Sequence, residues 1–118
     1  MKINNKKGGY SKKIANEYID VSKPIYSLSN SVEIQYKFVN NKPTDEINAY
    51  IAWFSQEGQP PFKVKFKNEV TLPKYLRMIE FEDLEACEVN YNVYFKAKNL
   101  KEIRWWTKIK LSNCYYKV

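Results

Sequence analysis

Phe62-Lys63-Val64-Lys65-Phe66-Lys67 decides the fold class, because apolar and basic residues alternate one for one along it. A period of two puts Phe62, Val64 and Phe66 on one face of an extended strand and the three lysines on the other. On a helix the same residues would be spread around the axis, leaving no apolar stripe to bury. Gly58-Gln59-Pro60-Pro61 breaks the chain just before this strand, as glycine and proline do between periodic segments.

Outward from there the period of two recurs. Val32, Ile34, Tyr36 and Phe38 alternate with Glu33, Gln35 and Lys37, which predicts a half-buried strand, and Asn40-Asn41-Lys42-Pro43 predicts the turn after it. In 46–54, parity sets Ile47, Ala49, Ile51 and Trp53 on one side, read as the core side. Asn48, Tyr50, Ala52 and Phe54 fall on the other, read as outward. Downstream, Leu72-Pro73 opens an irregular stretch, and 79–89 reads as a bulged strand rich in acids. Asn90-Tyr91-Asn92 reads as a turn. Val93, Phe95 and Ala97 then alternate with Tyr94, Lys96 and Lys98, and 103–111 alternates Trp105, Thr107, Ile109 and Leu111 with Arg104, Trp106, Lys108 and Lys110. Five or six strands at a spacing of roughly 10–18 residues predict a mainly β fold, a small barrel or strongly curved sheet. The first 31 residues read differently. They form a lysine-rich basic arm in which Ile14, Tyr18 and Val21 allow one short helix over 11–21, ended by Pro24. The expected organisation is therefore an arm over 1–31 and a β domain over 32–118.

Composition bounds the chemistry. A chain of 118 residues has room for one domain. Its aromatic share of 16%, with ten tyrosines and three tryptophans, suits pleated, half-buried surfaces. The net charge is +7, concentrated toward the two ends, while residues 69–90 carry six acids against two cations. No apolar run approaches the ~20 residues that cross a bilayer, and the polar N-terminus lacks the apolar segment of a secretory signal. The expectation is a cytoplasmic protein without membrane contact, with Cys87 and Cys114 as free structural thiols.

The absence of histidine removes the commonest general base and the commonest zinc ligand together. No CxxC pair, phosphate-binding GxxxxGK[ST] loop or GxGxxG turn is present. Glu80, Glu82, Asp83, Glu85 and Glu88 are of the residue type that holds Mg²⁺, but such a run reads better as a solvated, charge-balanced face. Neither an enzyme nor a cofactor is expected.

What the sequence does supply is cations and aromatic rings on shared strand faces. Lys63, Lys65 and Lys67 form one set, and Tyr94, Lys96 and Lys98 a second. Arg104, Trp106, Lys108 and Lys110 form a third, with Tyr50 and Phe54 on an outward face of a fourth strand. Lysines neutralise phosphates, and exposed bases stack on aromatic rings at ~1–3 kcal/mol each, so these residues predict a single-strand nucleic-acid site. Lysine on an edge strand also serves to block sheet-to-sheet aggregation. Three such strands and a basic arm favour the binding reading.

Three segments carry a family resemblance. They are Lys42-Pro43-Thr44-Asp45-Glu46-Ile47, Phe81-Glu82-Asp83-Leu84-Glu85-Ala86, and the run from Val93 to Lys101. Over roughly 32–103 the chain resembles OB-fold single-stranded-DNA-binding proteins of Gram-positive conjugative elements, plasmids and phages. The resemblance implies a five-stranded OB-like barrel that binds single-stranded DNA in replication or transfer. Residues 1–31 and the tail after Ile103 have no counterpart in it, and the acids at 80–88 depart from its pattern.

Two other readings stand beside this one. A small protein of a phage or mobile element that inhibits a host defence or nucleic-acid enzyme would use a host protein as its partner and the acids of 80–88 as its surface. A virion or conjugation-machine assembly protein would use the barrel as a packing unit. Exposed strand edges also allow a homodimer.

Overall fold

The computed structural model describes residues 9–104. The elements are helix α1 (Lys12–Tyr18) and strands β1 (Ile25–Ser27), β2 (Glu33–Val39), β3 (Lys42–Ser55), β4 (Phe62–Phe66), β5 (Met78–Glu82), β6 (Glu85–Val89), β7 (Asn92–Ala97) and β8 (Asn99–Glu102). All eight strands belong to one unclosed sheet in the order β6-β7-β4-β3-β1-β5-β8, with β2 paired to β3 beside this path. The expected mainly β fold is present. Its strand count and its open path differ from the five-stranded closed barrel that the resemblance implied.

Two features curl the sheet. Residues 50–51 of β3 pair with β2 on one edge and β4 on the other, and residues 54–55 pair with β1 where β2 has ended. Strands β7 and β8 lie toward opposite ends of the path, yet only Lys98 separates them in the chain. Lys98 N–H donates to Glu82 O at 2.9 Å, so the chain turns directly from the β4 side of the sheet to the β5 side. Every ladder is antiparallel except β4–β7.

The concave side holds the core. Phe54, Phe62, Phe66, Phe81 and Phe95 meet there, and Phe81 stands edge-on to Phe54 with centroids 4.8 Å apart. Such offset and edge-to-face pairs add about 0.5–1.5 kcal/mol each to the gain from burial. The short helix expected over 11–21 is α1. The Ser11 side chain caps it by accepting from Ile14 N–H, and Ser11 exchanges backbone hydrogen bonds with Ala86 of β6. Ala15 and Ile19 are buried in the main core, and β1 lies inside the sheet. The described part of the expected arm is thus built into the domain.

Turn chemistry sets the hairpins. Asn40-Asn41 joins β2 to β3 and Asn90-Tyr91 joins β6 to β7, all four residues with positive φ, the geometry that matches strand twist in two-residue loops. The acidic stretch 79–89 is not one bulged strand. Asp83, at φ 58°, divides it into β5 and β6.

Two parity expectations fail for identifiable reasons. The β2 face bearing Ile34, Tyr36 and Phe38 was expected to be half-buried, but Phe38 is 67% exposed. The outer half of the β2–β3 hairpin runs past the sheet, where among the described residues β3 is the only strand paired with β2. In β3 Ala49 and Ile51 are buried as expected, but Trp53 on the same side is exposed, and the side read as outward is the one that packs into the main core. Register pairs Tyr50 with Phe66, Ala52 with Val64 and Phe54 with Phe62, so these face the core. Phe54 is wholly buried and Tyr50 packs against the core, whereas Trp53 points outward.

Candidate nucleic-acid interface

The convex face of β3, β4, β7 and β6 gathers the cations and rings. Trp53 pairs with Lys63, and one step along the β4–β7 register Lys63 lies beside Tyr94, which pairs with Cys87. The next row runs Ile51, Lys65, Lys96, Glu85. Lys67 and Lys98, each one residue past the last pair of this ladder, line one hollow with Lys65 and Lys96. All six residues expected from β4 and β7 therefore share one surface.

Two adjoining hollows shape it. One of about 440 Å³ is lined by Trp53, Lys63, Lys65, Tyr94 and Tyr10 among others. The second, about 500 Å³, is lined by Lys12, Lys65, Lys67, Lys96 and Lys98 with Asp83 and Glu85. Lys65 belongs to both. The aromatic and basic hollows thus adjoin at Lys65.

Rings and cations are already in register with each other. The Lys63 ammonium lies 5.9 Å from the Trp53 ring centre, and that of Lys96 lies 4.4 Å from the Tyr10 ring centre. Contacts of this kind at exposed sites contribute roughly 0.5–1 kcal/mol and hold the ring in place. Trp53 is 37% exposed and Tyr94 45%, so each still offers ring surface. Tyr10 covers buried Cys87, a free thiol. Its own partial burial, with Cys87 and Tyr94 close by, pushes its phenol up from the usual tyrosine value.

Strand position distinguishes a binding surface from an anti-aggregation device. Lysines that blunt aggregation sit on edges, but β4 lies between β3 and β7, and β7 between β4 and β6. Like charges directly across a ladder destabilise it. Lys65 beside Lys96 is such a like-charge pair, offset on one side by Glu85, which lies next in the row.

The acids do not form one surface. Asp83 binds Lys12 at 3.0 Å and raises its pKa, chiefly through the hydrogen bond. Glu85 reaches Lys96 at 3.7 Å, Glu88 accepts from the Tyr18 hydroxyl, and Glu80 pairs with Lys101 across β5 and β8. Glu80, Glu82 and Glu88 line neither of the two hollows. Among the described residues no three His, Cys, Asp or Glu side chains converge as metal ligands.

The remaining expected residues divide three ways. Tyr50 and Phe54 lie on the core side, which corrects their reading as outward stacking residues. Arg104 is exposed just past β8. Trp106, Lys108, Lys110 and Cys114 lie outside the described residues. Sequence reasoning missed Trp53 and Tyr10. Tyr10, next to Ser11-Lys12-Lys13, does carry the aromatic-plus-lysine signal used elsewhere. No family model, curated protein or solved structure matches this chain.

Proposed function

We propose that this protein is a non-catalytic, sequence-tolerant binder of single-stranded nucleic acid, with single-stranded DNA as its ligand. The observation that carries the reading is the set of lysines on the central strands β4 and β7, with Trp53, Tyr94 and Tyr10 on the same convex face. A single strand offers phosphates for the lysines and unstacked bases for the rings, whereas a duplex hides its base faces. The OB-like character belongs to the same proposal, since OB domains also receive a strand across a curved sheet. The inhibitor reading loses support because the acids of 80–88 are dispersed among separate partners.

Titrating the protein's tryptophan fluorescence with oligo-dT tests the proposal. With about five phosphates neutralised, the logarithmic salt slope is near −3.5, and affinity falls on the order of 100-fold between 50 and 200 mM salt. Duplex of equal length binds more weakly. An absence of binding to oligo-dT at low salt, or a flat salt dependence, overturns the reading.

A further inference from the structure

The β2–β3 hairpin carries a surface that the binding face does not use. Ile34, Tyr36, Phe38 and Ile47 are all exposed, on a hairpin whose outer half extends past the rest of the sheet. A free two-stranded ribbon is marginal by itself, and an apolar one in water is more so. The far edge of β2 has no strand against it among the described residues. Natural edges of this length are normally blunted by lysine, proline, an inward charge or a bulge. β2 contains no proline, the face bearing Ile34, Tyr36 and Phe38 carries no charge, and its single lysine, Lys37, is matched by an acid, Glu33, on the same strand. Its register shifts are taken up by extra residues in β3, leaving β2 regular.

We infer that this edge pairs with the same edge of a second copy of the chain, antiparallel and centred on Gln35. The occupant follows from the charges on β2. Only like-face residues can sit opposite one another, so the centre of symmetry falls on a residue. Centring on Gln35 sets Glu33 against Lys37 of the second copy, and by symmetry Lys37 against its Glu33. Opposite charges facing across a ladder stabilise it. Glu33 has no ion pair among the described residues, and Lys37 has only an exposed contact with Glu46 at 3.4 Å. The same register lays Ile34 against Tyr36 of the second copy on the apolar face. Centring two residues further along would instead set Lys37 against Lys37.

A two-fold axis through such a junction stands perpendicular to the sheet, so both convex faces point the same way. If those faces bind nucleic acid as proposed above, the dimer doubles the length of strand held. The pairing itself does not depend on that reading and is tested without nucleic acid.

Sedimentation velocity of the full chain across the micromolar range, free of nucleic acid, is the first test, with a dimer expected. Glu33→Lys and Lys37→Glu each place like charges at both symmetric positions and weaken the dimer about tenfold or more. Mixed one to one, the two variants restore it, because each new charge then faces its opposite. The double variant E33K/K37E dimerises like the parent. Phe38→Glu, at a position exposed in the monomer, also weakens the dimer while thermal melting stays unchanged. A parent that is monomeric throughout overturns the inference, as does a dimer that neither charge reversal nor Phe38→Glu affects.

Discussion

The Lys63 ammonium stands 5.9 Å from the centre of the Trp53 ring, on neighbouring strands and on the convex face. The contact orients the ring while leaving it 37% exposed at the wall of the aromatic hollow. If a base stacks there, Trp53→Ala removes one stacking contact of about 1–3 kcal/mol, a loss of roughly 5- to 150-fold in affinity for oligo-dT. Trp53→Phe keeps a ring and most of the affinity but removes the binding-linked quench of that tryptophan. Equal affinity for parent and Trp53→Ala would place the strand elsewhere.

Lys65 belongs to both hollows and lies beside Lys96, so under the proposed function it is the cation best placed to meet a strand that crosses from one hollow to the other. Lys65→Gln lowers the magnitude of the salt slope by about 0.7, the value for one phosphate contact on a single strand. Lys74→Gln, at an exposed position lining neither hollow, leaves the slope unchanged. Measuring binding at several salt concentrations separates the two variants. Equal slopes for both would show that the positive field acts only as a whole.

The alternation in 62–67 and 93–97 made β4, β7 and their lysine faces legible, because each strand had one apolar and one polar side. Segment 46–54 offered no such contrast. Ile51 and Trp53 are as apolar as Ala52 and Phe54, so parity could separate the two faces but not rank them. What ranks them is pairing with β4, where Phe54 meets Phe62. That is a long-range fact with no local signature. The bare face of β2 was hidden for a related reason. Alternation reports that one side is apolar, not that another layer exists to cover it. The acids of 80–88 looked like one belt only because they are adjacent in sequence; Asp83 turns the chain and sends them to different partners.

Adjacent residues in β3 therefore have opposite roles, and mutation should separate them. Phe54 is wholly buried among aromatic rings, so Phe54→Ala costs about 3–5 kcal/mol of stability by opening a cavity. Its folded fraction keeps the parent's affinity for oligo-dT. Trp53→Ala should show the reverse, with small change in stability and a clear loss of binding. Urea unfolding alongside the binding titration checks both halves.

Tyr91 stands fully exposed at the β6–β7 turn with φ 70°, where a side chain is disfavoured and Asn-Gly is the preferred pair. Tyr91→Gly relieves that conformation and stabilises the protein by about 1 kcal/mol. Chemical denaturation measures the gain directly. A loss of stability would mean that the Tyr91 ring makes contacts its exposure does not suggest.

Alkaline titration reports on Tyr10. Its phenol is held neutral to higher pH than in the unfolded chain, first by partial burial and then by Cys87 and Tyr94. For an acid whose folded pKa is raised, the unfolded state loses its proton first. The contribution to stability is then complete below the ordinary tyrosine value and is lost as pH rises through the folded one. Tyr10→Phe cannot ionise, so its stability should fall less steeply than the parent's above about pH 10. Tyr18, raised chiefly by its hydrogen bond to Glu88, acts in the same direction. Tyr18→Phe loses that bond and Tyr10→Phe loses its bond to Cys87, so the comparison is of the slope of stability against pH and not of its absolute level. Unfolding curves at several pH values from neutral upward decide the matter. Identical pH dependence in parent and Tyr10→Phe would mean that the Tyr10 phenol ionises no later than a free tyrosine.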